Sequence, residues 1–272
     1  MNYKIISSDL DGTLLNEDML VSEENRRAVK KYTDMGGVFV PNSGRSFGEI
    51  SDAVKNLPGV RYVISSDGSA INDKLTGEKI FLGFTKEEAA AVFEILDSYE
   101  TLHAVHAYGN NYLDPEQFSR DVMPYYNVDE YFMKHFEETT LTKENFKEFY
   151  RNMDGLEMVC SFFHSMEELE ECRGRVLAAG FCVAQSAAFN LEIFVPRAGK
   201  GNALLRLAEH LGVAKEDTIA IGDSTNDSPM IKAAGLGLAM ENACDELKSI
   251  ADGIVCRNTE HVVPYLLEHY IR

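Results

Sequence analysis

The 272 residues carry 44 acidic against 26 basic side chains, for a formal net charge of −18, in a chain that is 45% hydrophobic and 26% charged. That balance excludes a largely disordered chain, and so negative a surface argues against a nucleic-acid backbone or an anionic membrane as partner. The length exceeds what one hydrophobic core usually fills, so two domains are expected. In chain order, a buried strand is predicted over residues 3–8, then a helix capped by Ser22 that runs to Met35 and stops at Gly36-Gly37. A second strand covers 38–40, a helix 47–57 and a third strand 62–65. From about residue 82 to 191 the texture changes and the chain becomes more acidic than its flanks. Thr85-x-x-Glu88 and Ser165-x-x-Glu168 read as capping boxes opening amphipathic helices. Strands over 102–107, 157–163 and 181–184 are separated by polar turns such as Gly109-Asn110-Asn111. The last third returns to alternation: a helix over 204–211 ended by Gly212, a strand over 218–221, a helix around 229–234, a strand over 236–239 and a helix over 262–270. This pattern predicts an α/β fold, a doubly wound parallel-sheet (Rossmann-like) core built from residues 1–81 and 192–272, with residues 82–191 inserted as an α+β domain.

The five cysteines include no C-x-x-C pair and read as reduced packing residues. Asp9 and Asp11 stand where a signal peptide needs its apolar stretch, and no run of 18 apolar residues occurs, so a soluble cytoplasmic protein is expected.

The chemistry concentrates at predicted strand ends, where ligands of a doubly wound sheet gather. Asp9-Leu10-Asp11-Gly12-Thr13-Leu14-Leu15 follows the first strand and sets two carboxylates one residue apart, with Gly12 for the tight turn. Asn42-Ser43-Gly44-Arg45 follows the second strand, a hydroxyl and a glycine where unpaired N–H groups suit a phosphate. Lys200, between Gly199 and Gly201, opens a helix and offers an ammonium. Gly222-Asp223-Ser224-Thr225-Asn226-Asp227 adds two carboxylates after a later strand. Singly, each piece also reads as an ordinary polar turn or helix cap. Together, Asp9, Asp11, Asp223 and Asp227 would crowd one crevice, where like charges 4 Å apart cost about 4 kcal/mol per pair. Such a cluster needs a cation, and hard oxygen ligands without His or Cys favour Mg²⁺ beside a phosphate.

These residues, in this order, resemble the haloacid dehalogenase-like superfamily, and the inserted segment makes the chain similar to its Cof-type phosphatases with a large cap. The likeness spans D-x-D-G-T-L-L at Asp9, S-G-R at Ser43, K-G-x-A-L at Lys200, G-D-S-x-N-D at Asp223 and the tail from Ala239 to Asp252. It implies Asp9 as nucleophile and Mg²⁺ ligand, and Asp11 as general acid and base that ligates through its backbone carbonyl. It further implies Leu10, Ser43, Gly44, Arg45, Lys200 and Asn226 around the phosphoryl group, Asp223 as direct metal ligand and Asp227 behind it. Two departures stand out: Asp67 and Ser69 occupy the position of the usual Asn-Gly-Ala, and Ser43 replaces the more frequent Thr. The resemblance implies a Mg²⁺-dependent phosphatase acting on small phosphorylated metabolites such as sugar phosphates, as a monomer or weak dimer. The same motifs would serve a sugar phosphomutase or a non-catalytic phospho-ligand sensor, although Asp11 argues against the sensor. In the insert, His103, His106, Tyr108, Tyr112 and Phe189 are candidates for the entrance, with core packing as the alternative.

Overall fold

The computed structural model describes residues 2–272. The chain opens with β1 (Ile5–Ser8), α1 (Glu23–Asp34), β2 (Val38–Pro41), the single turn α2 (Asp52–Lys55), β3 (Tyr62–Ser65), β4 (Ala70–Asp73) and β5 (Lys79–Phe81). There follow α3 (Lys86–Leu96), β6 (Thr101–Ala107), β7 (Asn110–Leu113), α4 (Glu130–Thr139), β8 (Leu141–Thr142), α5 (Phe146–Asn152), β9 (Leu156–Phe163), α6 (Met166–Ala178), β10 (Cys182–Ala184) and β11 (Asn190–Phe194). The chain ends with α7 (Lys200–Leu211), β12 (Thr218–Gly222), α8 (Ser228–Ala233), β13 (Leu236–Ala239), α9 (Asp245–Ile250), β14 (Gly253–Ile254) and α10 (Val262–His269). Two compact units result, one of residues 1–44, 50–80 and 199–272, the other of 45–49 and 81–198.

The first unit is built on a parallel sheet in the order β14-β13-β12-β1-β2. β1 lies between β2 and β12, with Ile6 opposite both Phe39 and Ile219. Every residue of β1 and β12 is buried, as strands covered on both faces require. The non-consecutive neighbours β1 and β12 make this a sheet whose strand order reverses beside β1, and Asp9 leaves the sheet there. Ser22 caps α1 by accepting from the Asn25 N–H at 3.1 Å. A small separate sheet, β3-β4-β5, adjoins β2 through one bridge between Asn42 and Ile64.

The second unit carries a six-stranded, mostly antiparallel sheet in the order β10-β11-β9-β6-β7-β8. Alternation along β6 divides its side chains: Val105 and Ala107 join the core beneath α3, α5 and α6, while Leu102 and Ala104 join a second cluster with Met133 and Phe136 of α4. The capping box of Thr85 and Glu88 is fully formed, and Ser165 accepts from the Glu168 N–H. Residues 192–198, assigned by sequence to the core, lie in this unit because β11 runs through Phe194 and pairs with β9 and β10. All five cysteines are free thiols, and no helix of the described residues is long and apolar enough to cross a membrane.

The helix expected over 47–57 shrinks to α2 because residues 45–49 are drawn into other contacts. Gly48 N–H donates to the Gly109 carbonyl at 2.6 Å. Glu49 is buried; its Oε2 accepts from Ser46 N–H at 2.7 Å, and its Oε1 accepts from Asn111 Nδ2 at 2.9 Å. His135 and His106 place ring nitrogens 3.2 and 3.4 Å from the same carboxylate. Burial by itself would raise the Glu49 pKa, but the two histidines and the Ser46 amide outweigh it and hold the carboxyl at about 2. A folded pKa below the unfolded one stabilises above the unfolded value near 4.3, and that contribution is lost as pH falls toward 2. Glu49→Ala is therefore expected to cost about 3 kcal/mol at pH 7 by urea denaturation, with the gap to wild type narrowing between pH 5 and pH 2.

Candidate active site

Asp9 follows β1 directly, and its N–H donates to the Ile221 carbonyl of β12 at 3.0 Å. The loop beyond it closes when Leu15 N–H donates to the Leu10 carbonyl at 2.9 Å. Gly12 sits in that loop at φ 78°, and a Cβ there would overlap the Asp223 carboxylate, so both backbone and space demand glycine. Asn242 Nδ2 donates to the Gly12 carbonyl at 2.8 Å and Thr13 Oγ1 to Asp223 Oδ1 at 3.5 Å, which fixes the loop against the end of β12.

Lys200, the first residue of α7, is 1% exposed, and its Nζ donates to Asp9 Oδ1 and Asp227 Oδ1, each at 2.7 Å. The other Asp227 oxygen accepts from the N–H groups of Asp223 and Ser224 at 2.9 and 3.1 Å. Asp227 is thus occupied on both oxygens, whereas Asp223 keeps a carboxylate that is only partly enclosed. Carboxylate oxygens of Asp9, Asp223 and Asp227 lie within 4.8 Å of one another, the one such group of three potential ligands among the described residues. Asp11 stands half-buried beside them, outside that group.

The electrostatics show a cluster short of positive charge. Burial, then Asp227, raises the pKa of Asp9 well above the ordinary carboxylate range despite Lys200, and Asp223 and Asp11 add to the effect. Asp223 is pushed up to about 7 by burial and Asp227, with Asp11 contributing. Burial opposes the charge on Lys200, but Asp227, Asp9 and Asp67 together hold its pKa well above the usual lysine value. Carboxylates driven toward protonation in this way, all hard oxygen donors, fit a divalent cation such as Mg²⁺ held by Asp9 and Asp223.

The structure brings Asp9, Asp11, Asp223 and Asp227, beyond the adjacent strands β1 and β12, together with Lys200 at the start of α7. Ser43 is 2% exposed, and its N–H donates to the Ile64 carbonyl at 3.1 Å. Asn226 accepts from Ser224 Oγ at 2.6 Å through its amide oxygen. The Leu10 side chain belongs to the core. Arg45 belongs to the second unit, where it donates to the Tyr131 hydroxyl at 3.0 Å. Among the insert's aromatic candidates, His103 is a core residue: it lies 2.9 Å from Ser161 Oγ, and burial lowers its pKa to about 4. His106 is likewise buried, against Glu49.

Sequence reasoning assigned no role to Asn42, Thr13 or Asp67. Asn42 is fully buried, and its Nδ2 donates to the Lys200 carbonyl and to Ser7 Oγ, both at 3.1 Å, tying the start of α7 to β1. A polar residue directly after β2, just before Ser-Gly, was the available signal.

Residues 6–267 match the haloacid dehalogenase-like hydrolase family. The chain belongs to that family. It is 32% identical over 286 residues to phosphatase YwpJ of Bacillus subtilis (strain 168), covering 98% of this chain and all of the relative. It is 29% identical over 276 residues to 5-amino-6-(5-phospho-D-ribitylamino)uracil phosphatase YcsE of the same organism, covering all of this chain and 97% of the relative. A solved haloacid dehalogenase-like hydrolase from B. subtilis superposes with a TM-score of 0.82 at 30% identity over 98% of this chain and 99% of that one. The subclass IIB sugar phosphatase BT4131 shares the fold, with a TM-score of 0.77 at 19% identity over 99% of this chain and 100% of that one. The chain is a phosphatase of this family, acting on phosphorylated substrates.

Lys200→Met would leave Asp9 and Asp227 facing each other without their shared ammonium, a loss of about 3–5 kcal/mol in urea denaturation at pH 8. Because the Asp9 pKa is raised above its unfolded value, the folded variant takes up protons as pH falls. The deficit should therefore shrink toward pH 5, and a deficit independent of pH would contradict the shared-charge account.

Proposed function

We propose that this phosphatase hydrolyses small phosphorylated metabolites through an aspartyl-phosphate formed on Asp9, with Mg²⁺ held by Asp9, Asp223 and the Asp11 carbonyl. The observation that carries this reading is the buried Asp9 carboxylate, pinned through one oxygen by Lys200. One oxygen is oriented and charge-balanced, and the other is left to attack phosphorus. In the first displacement, the Asp9 oxygen bonds to phosphorus while the phosphorus–oxygen bond of the ester breaks, and Asp11 gives its proton to the departing alkoxide. In the second, Asp11 takes a proton from water as the water oxygen attacks phosphorus. The Asp9–phosphorus bond then breaks, releasing inorganic phosphate and restoring the carboxylate. Lys200, the Ser43 hydroxyl, the Gly44 N–H and the Asn226 amide hold the phosphoryl oxygens in line for both steps. Bound Mg²⁺ would supply further charge stabilisation on the phosphoryl oxygens. Asp227, with both oxygens engaged, keeps Lys200 and the 223–224 turn in place.

For substrate class, a relative named as a phosphatase of a phosphoribityl compound supports a phosphorylated sugar or polyol, with hexose, pentose, flavin or vitamin-B6 phosphates ranked above nucleotides. Recognition dominated by the phosphoryl group predicts broad selectivity. A panel of phosphorylated metabolites with Mg²⁺, read by released phosphate, should show its highest kcat/KM on such a compound; a preference for nucleotides would overturn the ranking.

Two substitutions test the mechanism. Asp9→Asn, isosteric and unable to form the acyl-phosphate, should reduce aryl-phosphate hydrolysis to background, and more than about a hundredth of wild-type activity would refute covalent catalysis. Asp11→Asn should slow turnover by about 10²–10⁴-fold, with phosphorylated protein accumulating on an activated ester. Near-normal steady-state rates would remove Asp11 from proton transfer.

A further inference from the structure

The buried polar cluster around Glu49 takes no part in the chemistry above, yet it fastens the stretch that continues directly from Ser43 and Gly44. Residues 45–49 are held in the second unit at both ends. Arg45 donates to the Tyr131 hydroxyl at 3.0 Å, and Glu49 meets Ser46, Asn111, His135 and His106. In the middle, Gly48 N–H donates to the Gly109 carbonyl, whose own residue donates its N–H to Glu157 Oε1 at 2.9 Å. Asn111 is fully buried, and its Nδ2 also donates to Thr140 Oγ1 at 3.2 Å. Tyr131 and His135 stand one turn apart on α4 with near-parallel rings, so one face of that helix holds both Arg45 and Glu49. A carboxylate 5% exposed and met by two imidazoles and two N–H donors is expensive to assemble unless its placement matters. The backbone it fixes runs without interruption into Gly44.

We propose that Glu49, with His135 and His106, is a positioning residue for the phosphoryl-binding loop, fixing residues 45–49 and through them the backbone of Gly44 and Ser43. It touches neither substrate nor metal. The proposal rests on the reading of Ser43 and Gly44 as phosphoryl ligands given above. Its consequence falls on how well the loop holds phosphate rather than on bond making at Asp9. Loss of the cluster should therefore appear in binding before it appears in turnover.

The test measures the Kd of inorganic phosphate by calorimetry on the Mg²⁺-loaded protein, beside kcat and KM for an aryl phosphate, in Glu49→Gln, His135→Ala and His135→Gln. Glu49→Gln and His135→Ala are each expected to raise the phosphate Kd and the KM about fivefold with kcat changed less than twofold. His135→Gln, which keeps an N–H donor for Glu49, should restore most of the loss. A folded Glu49→Gln or His135→Ala protein with wild-type Kd and KM, or one losing kcat alone, overturns the proposal. Should Glu49→Gln not fold, the two His135 variants decide it by the same criteria. Ser43→Ala separates the two levels: if it leaves the phosphate Kd unchanged, the loop does not bind phosphate and the underlying reading fails with the proposal. If it weakens phosphate while the His135 and Glu49 variants do not, only the positioning role is lost.

Discussion

One buried ammonium shared by two buried carboxylates organises the catalytic unit. Lys200 lies 191 positions from Asp9 and 27 from Asp227, and it meets both at 2.7 Å with almost no solvent contact. Removing three ions from water costs several kcal/mol each, and only close geometry and further hydrogen bonds offset it. The surroundings supply these: the amides of Asp223 and Ser224 on Asp227, Asn42 on the Lys200 carbonyl, and the Ile221 carbonyl on the Asp9 amide. Two carboxylates on one lysine, with Asp223 and Asp11 alongside, leave a deficit of positive charge that the fold alone does not repair. That deficit is the physical reason to expect a cation.

The same imbalance explains how a chain of net charge −18 can serve anionic substrates. Screening in about 0.15 M salt limits exposed charges to roughly 8 Å, so the acidic surface neither attracts a phosphate ester nor repels it far from the site. In the proposed mechanism affinity arises within the cluster, from Lys200, Mg²⁺ and directed N–H and O–H groups, where screening by salt is weak. Selectivity for the rest of the substrate then draws on residues outside it.

The candidate site residues were legible because they stand at element ends with local marks, a pattern that fixes position without knowledge of distant contacts. Asp9 and Asp223 directly follow the short apolar strands β1 and β12, and Lys200 opens α7 after Gly199. What escaped depends on long-range partners. The helix expected over 47–57 has adequate local propensity, but Glu49 and Gly48 find partners at Asn111, His135 and Gly109, and only one turn survives. The sequence pattern ends the insert at residue 191, inside β11, because a five-residue strand carries no local mark of which sheet it joins. β7 and β8 went unrecognised for a related reason: Asn110–Leu113 is half polar, and the two-residue β8 exists only through its pairing with β7.

Of the four points where the chain passes between the two units, two adjoin candidate site residues in sequence, Gly44–Arg45 after Ser43 and Ala198–Gly199 before Lys200. Both passages are tied to a single turn of the first unit. Asp67 N–H donates to the Ser43 carbonyl at 3.2 Å, and the Asp67 carbonyl accepts from Gly199 N–H at 2.8 Å. Ser66, Asp67 and Gly68 all adopt left-handed backbone, at φ 51°, 47° and 84°, and a Cβ on Gly68 would overlap Gly199. Three successive residues in that region are costly except where the surroundings dictate them. Here they let one residue brace, through its main chain, the loop bearing Ser43 and the first turn of the helix bearing Lys200. The brace is made by the N–H and C=O groups of Asp67, while its side-chain charge acts on Lys200. Its carboxylate lies against Gly44, 3.3 Å from where a Cβ would be, so no residue larger than glycine fits there without moving it. Backbone geometry fixes these loops at this point, and glycine at 68 is the condition for it.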